Sequence, residues 1–223
     1  MEFHAWREFF SLADLASNVK VNHMDISKRA AEILKIQQFA IQKLKITLKM
    51  LEAIEKIAAM KTSGGRIVTT GIGKAGIIAT KMSATLASIG LPSFFVSPAE
   101  AGHGDVGRIA PGDLVIVFSH SGTTAEVVAM IETLHVLNER SNEIIVISSN
   151  QEPPIPADLV VCYGSVQESC VVSKVPSTST TLMLVIADVL AITAAESIGL
   201  NDEWFKTRHP GGAIGQAYNA SKK

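Results

Sequence analysis

Two stretches of the sequence crowd hydroxyl side chains at the start of a predicted helix, an arrangement that suits phosphate binding. Residues 119–126 read SHSGTTAE, with four hydroxyl side chains, and residues 176–181 read PSTSTT, with five. Hydroxyl groups and the unpaired backbone N–H groups of a helix start can surround an anion, whereas an ordinary cap needs only one hydroxyl. The two stretches therefore predict two halves of a cradle for a phosphate and a polyol. The hydroxyl groups concerned are those of Ser119, Ser121, Thr124, Ser177, Thr178, Ser179 and Thr180.

A third stretch, residues 71–76, reads GIGKAG and places a cation in a glycine turn. Glycines let the backbone approach an anion, which Gly73 and Lys74 would meet at the start of the next helix. The spacing is formally that of a dinucleotide-binding turn, which also needs an acid at the end of the following strand. Glu100 is the only acid near that place, and it comes too late in the chain. The other alternative is a tight turn that binds no ligand. The positive charge of Lys74 in the middle of the turn favours an anionic ligand over this alternative.

Candidate groups for proton transfer occur in similar places. His103 stands between two glycines, His209 begins the stretch HPGG, and Glu126 falls in the first turn of the helix predicted after the SHSG stretch. A histidine on a glycine loop is accessible, and imidazole and carboxylate groups can both act as general bases. A metal site through His103 and Asp105 is conceivable but lacks a third ligand at a suitable spacing. We therefore expect no metal.

These stretches are positioned by a predicted α/β architecture. After Gly65, short apolar runs alternate with helical patterns, which is typical of a parallel sheet covered on both faces. We predict a doubly wound α/β fold, in which ligands lie beyond the carboxyl ends of the strands, where the stretches above occur. The predicted strands are 66–70, 93–97, 114–119, 143–148 and 159–163, and the predicted helices are 75–89, 124–140 and 178–198.

A long helical pattern precedes the sheet. From Asp25, a candidate N-cap, apolar residues follow a helical period until Ser63-Gly64-Gly65 ends it. A helix of this length is unusual in a globular domain, so we expect that it bends or that part of it lies against another subunit. Residues 1–24 are expected to form an arm, and residues 25–223 a single domain.

The composition excludes several classes of protein. With 20 basic and 21 acidic residues the formal net charge is −1, without the basic excess that nucleic-acid binding needs. Hydrophobic residues make up 47% of the chain, which is enough for a core, yet no apolar run reaches the length of a membrane span. The two cysteines lack the spacing of a zinc site and suit a reducing compartment. We expect a cytoplasmic globular protein that binds neither nucleic acid nor membrane.

Five stretches, taken in order, resemble the sugar-isomerase (SIS) domain family of bacterial arabinose-5-phosphate isomerases. They are GIGKAG, FFVSPAEAGHGDVG, SHSGTTAE, PSTSTT with Asp188 further along the same helix, and RHPGGAIG. The resemblance covers roughly residues 30–216 and implies a three-layer fold with a five-stranded parallel sheet of flavodoxin-like topology. It also implies a homotetramer that interconverts D-ribulose 5-phosphate and D-arabinose 5-phosphate, a product that feeds lipopolysaccharide and capsule synthesis.

The resemblance implies catalytic roles for Lys74, His103, Glu126 and His209, and phosphate binding by the hydroxyl groups named above. An aldose–ketose isomerase moves a proton between C1 and C2, so it needs a base near the carbons and a cation near the oxygens. Lys74 suits the charge of the enediolate or the phosphate. Glu126 or His103 would be the base at C2, and His209 would assist ring opening or proton return, with a position across a subunit boundary as one option. This chemistry requires no metal or organic cofactor.

The sequence departs from the family pattern at two positions and leaves two rival functions open. Family members usually carry Asn where His120 stands and often an acid where Thr123 stands, so the preference at the sugar end is open. Many members also carry two CBS modules after this domain, which we expect this chain to lack. The rivals are a non-catalytic phosphosugar sensor and an isomerase of another sugar phosphate. The presence of Glu126, His103 and His209 together favours an enzyme.

Overall fold

The computed structural model describes residues 25–172 and 174–209 of the chain, which divides after Lys35 into two compact units. The predicted arm, residues 1–24, lies outside the described residues, and the single domain predicted for residues 25–223 stays a prediction. In the first unit Asp25 accepts a hydrogen bond at 3.0 Å from the backbone N–H of Lys28. It is thus the N-cap that the sequence predicts. The sheet and the candidate site belong to the second unit.

The segment predicted as one long helix forms two, α1 (Ile26–Lys43) and α2 (Leu48–Ser63). The continuous helix is not formed, and the expected bend is a break. Thr47 accounts for the break, because its backbone is extended and its hydroxyl accepts a hydrogen bond at 3.2 Å from the backbone N–H of Met50, which caps α2. Gly64, in the left-handed conformation with a φ of 75°, ends α2 as predicted.

Five parallel strands form one sheet in the order β2-β1-β3-β4-β5. Every strand begins and ends within one residue of its predicted bounds. The apolar runs that predict β1, β3 and β4 are buried between two helical layers, whereas the edge strands β2 and β5 are partly buried. The predicted doubly wound fold with a five-stranded parallel sheet is confirmed. The strands are β1 (Ile67–Gly71), β2 (Ser93–Val96), β3 (Leu114–Phe118), β4 (Glu143–Ser148) and β5 (Leu159–Cys162).

Helices cover both faces of the sheet. Helices α2, α3 and α6 pack on one face, and α4 and α5 pack on the other. Among the described residues, α6 is the only helix that is long enough and apolar enough to cross a bilayer. One side of this helix is buried against α2 and α3. The remaining helices are α3 (Lys74–Ser88), α4 (Pro98–Ala101), α5 (Ala125–Leu137), α6 (Thr178–Ser197) and α7 (Asp202–Thr207).

Two buried threonines of β1 fix the segments that lead into the site. Thr69 and Thr70 are fully buried, and their hydroxyls donate hydrogen bonds at 2.7 Å to the carbonyl oxygens of Ala79 in α3 and of Val96 at the end of β2. A buried hydroxyl is costly unless it is hydrogen-bonded, so these contacts hold both segments in place. The glycine turn before α3 and the loop after β2 are thereby set against β1.

Candidate active site at the carboxyl edge of the sheet

The carboxyl ends of β1 and β3 lie side by side, but the chain leaves them in opposite directions. β1 leads through α3 to β2 on one side, and β3 leads through α5 to β4 on the other. Such a reversal opens a crevice between two helix starts, which is where doubly wound folds bind their ligands. Lys74 is the first residue of α3, and Glu126 lies in the first turn of α5. The fold therefore places these two predicted residues on the two sides of one crevice.

The glycine turn after β1 leaves the ammonium group of Lys74 without a partner among the described residues. A Cβ atom on Gly71 would lie 2.8 Å from the carbonyl oxygen of Phe118, and one on Gly76 would lie 2.6 Å from that of Gly71, so packing alone requires both glycines. Gly73 differs, because it has a φ of 62° and open space where a Cβ would stand. Lys74 is exposed and has no hydrogen bond or ion pair with any of the described residues. Gly73 and Lys74 are therefore available to a ligand.

The loop after β3 is held in shape by hydrogen bonds within itself. The Ser119 hydroxyl accepts a hydrogen bond at 3.1 Å from the N–H of Gly122, and the Ser121 hydroxyl accepts one at 3.2 Å from the N–H of Thr123. Thr124 is the N-cap of α5, yet its side chain makes no capping hydrogen bond. In the described part of the chain, the first N–H groups of α5 thus have no side-chain acceptor. Together with the helix dipole and the adjacent hydroxyls, they leave an anion site open.

The start of α6 is arranged in the opposite way, because a carboxylate of the chain itself occupies it. The Oε2 atom of Glu168 accepts hydrogen bonds from the N–H groups of Ser177 at 2.7 Å, Thr178 at 2.7 Å and Ser179 at 3.3 Å, and from the Ser177 hydroxyl at 2.9 Å. The Thr180 hydroxyl donates at 2.8 Å to the carbonyl oxygen of Ser177. These donors already bind an anion, so a role for the cluster in phosphate binding stays a prediction.

The sequence analysis did not identify Glu168. In the folded protein its surroundings favour the charged carboxylate. Partial burial works against the charged form, but the hydrogen bonds from Ser179 and Ser177 outweigh it and lower the pKa of the Glu168 carboxyl below its usual value. An acid shortly before a hydroxyl-rich helix start was the signal that could have drawn attention to it. The contact itself depends on the course of the loop after β5, which the sequence does not show.

A second unpredicted contact joins the ends of three strands. The Nδ1 atom of His120, in the loop after β3, lies 2.7 Å from the Oη atom of Tyr163, which directly follows β5. The carbonyl oxygen of His120 accepts hydrogen bonds from the hydroxyls of Ser148 at 3.0 Å and Ser149 at 2.8 Å, at the end of β4. Burial is the main reason that the pKa of the Tyr163 phenol is raised, so the phenol stays protonated at neutral pH.

Helix α4 brings the loop of His103 towards Glu126. A cavity of about 200 Å³ between α4 and α5 is lined by Glu126 and by Gly102, the residue before His103. The carboxylate of Asp105 forms an ion pair with Arg108 at 3.2 Å. Within residues 25–172 and 174–209, no three His, Cys, Asp or Glu side chains are grouped closely enough to hold a metal ion. Lys74 at the start of α3, Glu126 at the start of α5 and the loop that carries His103 thus lie around one crevice.

His209 lies at the other end of the sheet. Its ring stacks on that of Phe205, in helix α7, with the ring centroids 4.0 Å apart. The neighbouring residue of α7, Trp204, lies so close to Gly90 that a Cβ atom on that glycine would not fit. Gly90 precedes β2, so α7 lies at the amino edge of the sheet. Since five residues of a strand span about 16 Å, His209 is remote from the crevice of its own chain. The structure does not bring it together with the other three predicted residues.

Comparisons with known sequences identify a domain family and curated relatives. The SIS domain profile matches residues 60–193. An arabinose 5-phosphate isomerase of Pseudomonas aeruginosa is 38% identical over 198 residues, which cover 87% of this chain and 59% of the relative. The protein of the same name from Escherichia coli K12 is 38% identical over 196 residues, which cover 86% of this chain and 58% of the relative. The chain therefore spans less than two thirds of the length of these relatives.

Two solved structures share the fold over their whole length. A Bacteroides fragilis protein, described as a phosphosugar isomerase involved in capsule formation, has a TM-score of 0.80 and 34% identity, and the match covers 83% of this chain and 98% of that one. A protein of Escherichia coli CFT073, solved in complex with A5P, has a TM-score of 0.74 and 30% identity, with 90% of this chain and 100% of that one covered.

Replacing Glu168 with Gln should destabilise the fold in a pH-dependent way. The substitution removes the charge that accepts hydrogen bonds at the start of α6, and we expect a loss of about 1–2 kcal/mol in the free energy of unfolding at pH 7. Because the pKa of Glu168 is lowered in the folded state, its charge stabilises the protein above the pKa of an unfolded glutamate, about 4.3. That contribution is lost as the pH falls through the lower folded value.

Urea unfolding of both proteins at about pH 7 and about pH 3 measures this difference. The gap between wild type and Glu168→Gln should narrow in acid. Glu152→Gln is the matched control, because Glu152 is exposed and its carboxylate has no partner among the described residues. A gap of the same size at both pH values would contradict the assignment.

Proposed function

The chain belongs to the SIS domain family, and we propose that it is a phosphosugar isomerase that interconverts D-ribulose 5-phosphate and D-arabinose 5-phosphate (A5P). The observation that carries the proposal is the crevice between β1 and β3, where the open anion site at the start of α5 stands opposite Lys74. The relatives named arabinose 5-phosphate isomerase and the protein solved with A5P support this choice of substrate. We place the enzyme in the cytoplasm and assign it no metal or organic cofactor.

The phosphate is proposed to bind at the start of α5. Backbone N–H groups there and the hydroxyls of Ser119, Ser121 and Thr124 would hold its oxygens, aided by the helix dipole. The phosphate does not change during isomerisation, so these contacts bind substrate and transition state alike. Their role is to anchor the sugar so that C1 and C2 reach the catalytic groups.

Proton transfer is assigned to the groups around the crevice. As the base takes a proton from C2, the carbonyl oxygen gains charge and becomes part of an enediolate, which Lys74 is placed to stabilise. Glu126 in α5 and His103 in the loop after β2 are the candidates for the base, a role that contributes about 10²–10⁴-fold. Returning the proton to C1 completes the exchange of aldose and ketose.

His209 is proposed to complete the site of a neighbouring subunit in a homotetramer. Within one chain it lies at the opposite edge of the sheet from the crevice, so a catalytic role requires contact between chains. Exposed apolar side chains in the last turns of α1 and at the start of α2 support assembly, since Phe39, Ile46 and Leu48 are 56%, 58% and 84% exposed. A patch of this kind is typical of a surface that binds another protein chain.

Purified protein should convert A5P into D-ribulose 5-phosphate, and Glu126→Gln should lower kcat at least about 10²-fold if Glu126 is the base. Gln keeps the volume of the side chain but not its basic oxygen, so the affinity for A5P should change little. Exchange of the C2 proton with solvent deuterium follows the same step without the need for net turnover. A protein that binds A5P but shows neither isomerisation nor exchange would be a sensor, which would refute the proposal.

Coexpression of two inactive variants tests whether the site is shared between chains. Lys74→Ala and His209→Ala should each abolish activity. In mixed oligomers, some sites combine the natural Lys74 of one chain with the natural His209 of the other. If two symmetry-related chains share each site, random mixing should restore about a quarter of wild-type activity. Lys74→Ala mixed with Glu126→Gln is the control, because both residues come from one chain and no mixed site is intact. No recovery in purified mixed oligomers would show that His209 acts within its own chain or not at all.

A further inference from the structure

His120 lies inside the proposed phosphate loop and is held at both of its ends. Its backbone carbonyl accepts hydrogen bonds from Ser148 and Ser149, and its Nδ1 atom lies 2.7 Å from the hydroxyl of Tyr163. The side chain is nevertheless exposed at the carboxyl edge of the sheet. An exposed imidazole that is fixed in this way can present its second nitrogen to a ligand with little loss of side-chain entropy.

The direction of the hydrogen bond follows from the surroundings of Tyr163. Burial, followed by the negative charge of Glu168, raises the pKa of the phenol, so it keeps its proton at neutral pH. Within residues 25–172 and 174–209, the hydroxyl of Tyr163 has no hydrogen-bond partner other than His120. Tyr163 is half-buried, and Nδ1 of His120, at 2.7 Å, is the acceptor within reach of its hydroxyl proton among the described residues.

This direction fixes the tautomer of His120. A neutral imidazole that accepts at Nδ1 carries its proton at Nε2. If the ring takes up a second proton, Nδ1 becomes the donor and the Tyr163 oxygen accepts, while Nε2 still carries a proton. The Nε2 atom of His120 is therefore a hydrogen-bond donor in both charge states of the ring.

The strand order indicates which part of a sugar phosphate this donor would meet. Lys74 follows β1, His103 follows β2, and Glu126 lines the cavity beside α4. Tyr163 follows β5, so its contact draws His120 to the side of β3 away from these groups. The reacting carbons must lie towards β1 and β2. The group left beside His120 is the phosphate, next to Ser119 and Ser121.

We propose that His120 is a specificity-determining residue for the phosphate group, which receives a hydrogen bond from its Nε2–H, and that Tyr163 is the positioning residue that fixes this tautomer. The inference rests on the proposed function, in that the phosphate lies at the start of α5. It assigns a role to a histidine at a position where the sugar-isomerase pattern usually has Asn.

A pair of variants of similar length tests the donor. His120→Gln keeps an N–H donor at a similar reach, whereas His120→Met has none. Calorimetry should show that the Met variant binds both A5P and inorganic phosphate at least about tenfold more weakly than wild type, whereas the Gln variant stays close to wild type. If the Met variant binds both ligands normally, or loses affinity for A5P alone, the inference is wrong, because the second result would place His120 at the sugar.

A spectroscopic experiment tests the role of Tyr163 without any ligand. Long-range ¹H–¹⁵N correlation spectra of the ring nitrogens, assigned by their loss in His120→Gln, should show neutral His120 with its proton on Nε2. Tyr163→Phe should raise the population of the Nδ1–H tautomer and weaken binding of inorganic phosphate by less than His120→Met does. A wild-type proton on Nδ1 would overturn the inference. Failure to isomerise A5P would refute the proposed function instead, and would leave the phosphate contact standing if inorganic phosphate binding depends on His120.

Discussion

The N–H groups at the start of a helix need acceptors from outside the helix, and the helices after β3 and β5 meet this need in different ways. At α6, the carboxylate of Glu168 takes three N–H groups and one hydroxyl. At α5, Thr124 occupies the cap position without a capping side-chain bond. One helix start is satisfied within the chain, and the other, beside the crevice, is left for an anion. The assignment of the site follows from this difference.

The sequence predicted the features of the fold that depend on the local pattern of apolar and polar residues. Strand β3 and residues 144–147 of β4 are continuously apolar, as strands covered by helices on both faces usually are, so the bounds of both strands could be predicted within one residue. The break before α2 could not, because Leu44, Leu48 and Leu51 continue the helical period and Thr47 caps only once the chain has turned. Contacts between segments that are distant in the sequence could not be predicted either, because they too depend on how the chain folds back on itself.

The candidate site shows the same division. Lys74 and Glu126 could be found because each stands at the start of a helix that directly follows a strand. Glu168 and the pair formed by His120 and Tyr163 depend on the course of the loop after β5, on which local periodicity has no bearing. The position of His209 at the amino edge was equally hidden, since its glycine-rich setting resembles that of His103.

A crystal structure of the protein with A5P bound would test the central claim most directly. The account predicts the phosphate at the start of α5, within hydrogen-bond distance of the hydroxyls of Ser119 and Ser121, with Glu168 still bound at the start of α6. A phosphate bound by Ser177 and Thr178, with the Glu168 carboxylate displaced, would contradict it.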